Sequence, residues 1–268
     1  MIRRILPMAV LATAITMNAN AQDQKTAEIL NTIEYSNLPR VDIKEFKKNK
    51  KGAYVIFDGS SLKGWRGYNK DHVPNKWSIE DGALKFSRNP NVEKPEGGDI
   101  VFAYDFKEFE LEFEWKVSHA GNSGVFYLAK EIKNQPIYIS SPEYQILDND
   151  NHPDAKMGVD GNRKSASLYD MIPAKPQNAK PVGEWNTSKI VVKGNKVQHF
   201  QNGVKVVEFT IRDQAWTQLL QTSKFSQEKW PLAFALLNNV GGDSKSGLIG
   251  FQDHGDDVWF RNITVKVL

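Results

Sequence analysis

The sequence predicts an all-β fold, a sandwich of two antiparallel sheets. Three observations carry this. Glu108–Val117 (EFELEFEWKV) alternates polar and apolar residues along its whole length, the period of a strand with one buried face. Asp81-Gly82 and Asn202-Gly203 each separate two short strand-like runs, and such pairs supply the positive φ values of a tight hairpin turn. Strand-like runs recur at short spacing while helical periodicity is scarce.

The first 21 residues read as a leader rather than as part of the fold. Arg3 and Arg4 make a basic start, Ile5–Met17 an apolar run too short to span a bilayer, and Ala19-Asn20-Ala21 a small-x-small cleavage site. Gln22 is the expected new N-terminus. Residues 22–52 form an N-terminal arm, with about two helical turns over Thr26–Tyr35 and a basic, solvated run over Lys44–Lys51. A single domain is expected over 53–268.

Within that domain Ala53–Phe57 is an apolar strand stopped by Asp58-Gly59-Ser60. Lys76–Glu80 and Ala83–Phe86 flank Asp81-Gly82 as a hairpin. Gly97-Gly98-Asp99 leads into Ile100–Tyr104. In the alternating strand Phe109, Leu111, Phe113, Trp115 and Val117 form the core face. Its glutamates face solvent or a groove, and Glu114 is a substrate-binding candidate there. Like charges on one strand face repel, so some should find partners across the sheet. Gly121–Leu128 is a strand opened by small residues that permit close approach. Ser141–Leu147 is a strand that gives way to a long Asp/Asn-rich loop ending at Asp170. Ser188–Lys193, Lys196–Gln201 and Val204–Thr210 follow as strands, then a polar, helix-like stretch over Gln214–Ser223. Gly247–His254 and Val258–Leu268 close the chain as strands.

Composition narrows the function classes. The chain has 268 residues, 40% of them hydrophobic and 25% charged, an ordinary globular balance. Leader cleavage removes Arg3 and Arg4 from 35 basic residues and none of the 32 acidic ones, leaving a charge near +1. That gives no basis for nucleic-acid binding. There is no cysteine, which excludes thiol nucleophiles, Cys-based metal sites and a lipid-anchoring lipobox. Seven Trp and fourteen Phe suit either a large sandwich core or a sugar platform.

The densest group of acids, bases and metal-ligand types runs from Ser141 to Asp170. A period of two places Glu143 and Gln145 on one strand face, and Tyr144 and Ile146 on the other. Asp148, His152 and Asp170 follow on the loop. Gln252 and His254 come from a later strand and share a face. The candidates for acid–base work are Glu143, His152, His254, Asp148 and Asp170; Gln145, Asn122 and Gln252 are suited to sugar hydroxyls. Each has a plainer alternative: a cross-strand ion pair for Glu143, a turn cap for His254, a loop residue for His152, a backbone acceptor for Asp170. Asp148-x-Asp150-x-His152 opens like an EF-hand, but Pro153 replaces the required glycine and Val159 the bidentate glutamate.

Several motifs fall in a fixed order: FDGSSLKGW (57–65), GGDI (97–100), GNSGVF (121–126), PEYQILD (142–148), LYD (168–170), GLIGFQDHG (247–255) and FRNI (260–263). In that order and spacing the chain resembles the 3-keto-disaccharide hydrolase domain family, from about Ala53 to Leu268. The resemblance implies a concanavalin A-like jelly roll with a carbohydrate site on a concave sheet, an exported bacterial protein, and a substrate oxidised to a ketone at C3. It also implies a divalent metal in some members, of unknown identity here, and no organic cofactor. A C3 ketone acidifies the C2 hydrogen, so a base removes it, the C1 substituent leaves and water adds afterwards. Two other readings stay open. A glucanase-like hydrolase needs two carboxylates on one strand, and Glu110, Glu112 and Glu114 lack its spacing. A non-catalytic sugar-binding module would show exposed aromatics without convergent acids and bases.

Overall fold

The structure is a computed structural model and describes residues 24–268. The expected leader, 1–21, and the cleavage point at Gln22 lie outside the described residues. The chain divides into two compact units, with the boundary between Glu34 and Tyr35. In the first, residues 24–31 are helical (α1) and the Thr32 hydroxyl closes the end by donating to the Ile29 carbonyl (2.8 Å). The second, Tyr35–Leu268, holds the sandwich. Part of the stretch counted with the arm is built into it: Ile43 is buried, and the Val41 amide donates to the Ala103 carbonyl (2.8 Å).

Among the described residues thirteen strands form two antiparallel sheets. The strands are β1 (Tyr54–Phe57), β2 (Trp65–Gly67), β3 (Trp77–Glu80), β4 (Ala83–Phe86), β5 (Ile100–Phe106), β6 (Phe109–Val117), β7 (Asn122–Ala129), β8 (Glu143–Leu147), β9 (Asn186–Lys193), β10 (Lys196–Gln201), β11 (Val204–Thr210), β12 (Gly247–Phe251) and β13 (Val258–Val267). The larger sheet runs β11-β10-β9-β6-β13-β4-β3, with β1 added to β13; the smaller runs β2-β5-β12-β7-β8. The all-β sandwich expected from the alternation is the architecture found. Asp81 and Asn202 both adopt positive φ, as the hairpin turns require.

The two sheets meet through aromatic rings. From the larger sheet come Phe109, Phe113 and Phe260, and from the smaller Trp65, Phe102 and Phe251; all are buried. Phe251 and Phe260 lie 4.2 Å apart between centroids, and Phe113 meets Tyr144 edge-on at 5.7 Å. Rings in offset and edge contact fill this space at crystal-like density. A polar thread crosses the same core. Ser188 takes a hydrogen bond from the Trp115 indole (2.9 Å) and shares one with the Tyr144 hydroxyl (2.7 Å). His199 is wholly buried between the Tyr127 hydroxyl (2.8 Å) and the Ala166 carbonyl (3.0 Å), and burial lowers its pKa to about 4, so the ring is neutral.

On β6 the glutamates point away from the rings, and two of them find partners, in line with the like-charge argument. Glu114 is gripped by Arg261 (2.7 Å) and accepts from Asn262, and Glu112 lies 3.7 Å from Lys51.

Two helices follow β11. Asp213 caps α2 (Gln214–Thr222) by accepting from the Trp216 amide (2.7 Å), and Trp216 stacks on Phe209. The second, α3 (Pro231–Asn238), has no counterpart in the sequence reading. It is apolar all round and buried, so it shows no amphipathic period to read. It packs on a 3-10 turn, Ile137–Ile139, whose Ile137 lies on Val101, Phe126 and Leu248 at the outer face of the smaller sheet.

Replacing Phe113 with alanine removes a ring that touches both sheets. The expected loss is about 3–5 kcal/mol of unfolding free energy, measured by urea or thermal denaturation. An unchanged midpoint would contradict the packing described.

Candidate active site

The site is built on the part of that outer face left clear of Ile137. Strand registers decide which residues share it. Glu143 stands opposite Phe126 and Gln145 opposite Gly124; Phe126 in turn faces Gly250, which faces Val101. Glu143, Gln145 and Asn122 are therefore on one face, and Tyr144 with Ile146 turn into the core. β8 is the edge strand. Its outer backbone is closed by the loop: the Ala166 amide donates to the Gln145 carbonyl (2.8 Å) and the Tyr169 amide to the Glu143 carbonyl (3.1 Å).

A row of polar groups crosses the face. Turned so that both its ends are satisfied, the Gln145 amide donates to Glu143 Oε1 (3.1 Å) and to the Ser123 carbonyl (2.9 Å). Beside it, Asn122 Nδ2 lies 3.4 Å from His254 Nε2. Gln252 holds its backbone amide to the Gly124 carbonyl (2.9 Å), while its buried Oε1 has no partner. β12 ends at Phe251, so Gln252 and His254 are delivered by the segment after the strand rather than by the strand itself.

Glu143 is the electrostatic centre. It is only 7% exposed and, among the described residues, has no cation at ion-pair distance. Burial raises its pKa well above the ordinary carboxylate range; Lys224 opposes the rise, and Asp99 and Asp154 add to it. Lys224 is shifted down, again first by burial. Gly124 makes room for the carboxylate: a Cβ there would come within 2.3 Å of Glu143 Oε1. On the side of β5 and β12, Asp99 accepts from the Asp253 amide (2.8 Å), and burial together with the Asp253 charge pushes it up to about 7. Asp253 takes the amides of Gly98 (2.7 Å) and Gly255 (2.9 Å) on its two oxygens.

The loop carboxylates do structural work. Asp148 accepts from the Ala120, Asp150 and Asn151 amides and from the Asn151 side chain, folding the loop start. Arg163 bridges Asp154 (2.8 Å) and Asp170 (2.7 Å), and the second oxygens of these carboxylates accept from the Tyr169 hydroxyl (3.0 Å) and the Lys224 amide (3.0 Å).

At the other end of the row His152 and His254 meet edge-on, with centroids 6.1 Å apart. One atom each from His152, His254 and Asp256 lie within 4.8 Å of one another. Two imidazoles and a carboxylate are ligand types that suit a divalent transition ion. His152 Nδ1 now accepts from the Asp154 amide (3.1 Å). Whichever ring nitrogen ligates, neutral imidazole then has no lone pair for that amide, so ligation competes with the cap.

Of the residues singled out in the sequence, the structure gathers Glu143, Gln145, Asn122, Gln252, His152 and His254 on or beside one face, with Asp148 and Asp170 in the loop that borders it. Glu114 is not among them. It lies on the outer face of the larger sheet, where with Glu112, Thr187, Lys189 and Asn262 it lines a groove of about 460 Å³. Sequence reasoning gave no role to Lys224, Asp99, Arg163, Tyr169 or Asp256. The Gly97-Gly98-Asp99 lead-in to β5 was visible; its carboxylate's destination was not.

Two outcomes follow from the packing around Glu143. A Cβ at position 124 would come within 3.0 Å of Glu143 Oε1, Cδ and Cγ, so Gly124→Ala should push the whole Glu143 side chain aside and lower activity about tenfold or more; full activity with an unchanged thermal midpoint would show that Glu143's position does not matter. A raised carboxyl keeps in the native state a proton that the unfolded chain has lost. Parent stability should therefore fall as pH rises above the ordinary carboxylate range of about 4.3 toward the folded-state value. Glu143→Gln should flatten that fall in pH-dependent unfolding curves.

Comparison with known proteins supports the fold and shows the family. The chain is 56% identical over 263 residues to a 3-keto-disaccharide hydrolase of Bacteroides thetaiotaomicron, covering 93% of this chain and 90% of that one. Two solved Parabacteroides distasonis proteins, each named "putative glycosyl hydrolase", superpose with TM-scores of 0.69 and 0.60 at 27% and 26% identity. They cover 87% and 82% of this chain, and 99% and 100% of their own. A Bacillus subtilis protein with a galectin-like fold superposes at 0.51 with 15% identity, a likeness of fold alone, covering 83% of this chain and 98% of its own. Residues 52–266 match the 3-keto-alpha-glucoside-1,2-lyase-like domain, and the chain belongs to that family.

Proposed function

We propose that this protein is an exported enzyme that cleaves glycosides already oxidised to a ketone at C3, by removing the C2 proton and eliminating the C1 substituent. The observation that carries the reading is Glu143: a buried carboxylate of raised proton affinity, fixed on a strand beside the amide of Gln145. A base meant for a carbon acid gains from such a setting, because proton affinity near the working pH favours transfer.

In this reading ionised Glu143 takes the C2 proton, and the electron pair moves into the C2–C3 bond while the ketone oxygen becomes an enolate. As the ketone re-forms, a C1–C2 double bond forms and the C1–oxygen bond breaks. Asp99, whose proton affinity lies near neutrality, stands on the opposite side of the face and is suited to return a proton to the leaving oxygen. Water then adds at C1. Gln145, Asn122 and Gln252 offer amides to sugar hydroxyls, and the unpartnered Oε1 of Gln252 is an acceptor still to be filled. A divalent ion held by His152, His254 and Asp256 would supply a Lewis acid for a sugar oxygen.

A glucanase-like mechanism is less well supported. The same-face glutamates of β6 lie on the other sheet, where Arg261 and Lys51 engage Glu114 and Glu112.

Purified protein should turn over 3-keto-glucosides and leave plain glucosides intact, and EDTA treatment reports whether the histidine–aspartate cluster matters. Glu143→Gln should lower turnover about 10²–10⁴-fold while retaining substrate binding. Equal cleavage of an unoxidised glucoside would overturn the elimination reading; an unimpaired Glu143→Gln would move the base elsewhere. Exported material should begin at Gln22 on N-terminal sequencing, and a retained Met1 would contradict cleavage.

A further inference from the structure

We propose that Lys224 is the electrophile of the reaction, its ammonium holding the C3 oxygen as that oxygen becomes an enolate. This rests on the reading of the substrate as a 3-keto-glycoside. Removing a proton from C2 transfers charge to the oxygen on the neighbouring carbon, so a base at C2 calls for a positive or hydrogen-bonding group a few ångströms away.

Lys224 is placed for that duty and spent on no other. It is half-buried, with Nζ 4.2 Å from the centre of the Tyr169 ring and 5.0 Å from that of Phe225. Its backbone amide is pinned by Asp170 Oδ2 (3.0 Å), and Asp170 is itself held by Arg163. Among the described residues Nζ has no carboxylate at ion-pair distance and no hydrogen-bond acceptor. The charged groups that act on it are Glu143, Asp170, Arg163 and Asp154, and of the charges acting on Glu143 it is the strongest. The other nearby cation, Arg163, is committed to two carboxylates. A cation flanked by aromatic faces and partly stripped of water, but without a contact partner, is prepared to meet an oxygen.

The step balances without a further reactant. Glu143 gains the C2 proton, the C–H pair becomes the C2–C3 double bond, and the C3 oxygen takes the negative charge against the Lys224 ammonium. The charge returns when the C1–oxygen bond breaks, and Lys224 keeps its protons throughout.

The experiment compares parent, Lys224→Met and Lys224→Arg on a 3-keto-glucoside. It follows turnover, KM and incorporation of deuterium at C2 from deuterium oxide, with thermal midpoints alongside. The parent should cleave and exchange. Lys224→Met should lose about 10²–10³-fold in both kcat and exchange with KM little changed, and Lys224→Arg should recover part of each. Lys224→Gln serves in place of Lys224→Met should the latter not fold. Exchange at the parental rate without the ammonium would overturn the proposal. So would a loss confined to KM, or equal losses in Lys224→Met and Lys224→Arg with lowered midpoints, which mark a merely structural lysine. A parent that cleaves without labile C2 hydrogen would instead overturn the elimination reading, and this proposal with it.

Discussion

The interaction on which the site depends is the withholding of water from one carboxyl group. Glu143 lies on a strand whose backbone is closed on both sides, by β7 and by residues 166–169, so its direction is set by the sheet rather than by a flexible loop. Its own shell offers one amide, an absent side chain at position 124 and a distant ammonium. Each of these spares the carboxyl a tight partner. A contact ion pair would have held it ionised at a low pKa and made it a weak base; a fully apolar pocket would have kept it protonated. The geometry lies between the two.

That choice explains how the surrounding charges are divided. Asp148, Asp154 and Asp170 accept from backbone amides, Arg163 and Tyr169, so their oxygens are engaged in holding the loop. Asp253 is likewise satisfied by two backbone amides, which leaves the neighbouring Asp99 as the carboxyl whose proton is loosely held near neutrality. Similar residues thus take different duties, decided by how many donors point at each.

Much of the fold was legible because strand alternation is a local property. The ten residues around Phe113 gave both a strand and its buried face, and Asp81-Gly82 and Asn202-Gly203 gave their turns. The pairing of Glu143 with Gln145 on one face follows from the same period. What alternation leaves undetermined is which sheet a face belongs to. Glu114 sits on a polar strand face as Gln145 does, yet the two lie on the outsides of opposite sheets. Lys224 and α3 were illegible for other reasons: the first is carried by an irregular turn with no period, the second is buried on every side. Asp99 and Asp256 lie in irregular segments with no period to read, and only tertiary contact sets them apart from other aspartates.

The Arg163 fork also bears on how the protein moves. The loop from Asp148 to Asp170 contains little regular structure, so its order comes from side chains, and several of these converge on a single guanidinium. Through Asp170 the same fork fixes the backbone of Lys224, more than fifty residues further along the chain. Segments joined in this way open together or not at all, so their amide protons belong to one cooperative unit of hydrogen exchange. The wall of the site that carries Tyr169 and the wall that carries Lys224 then share one opening equilibrium, and a ligand that steadies either wall steadies both.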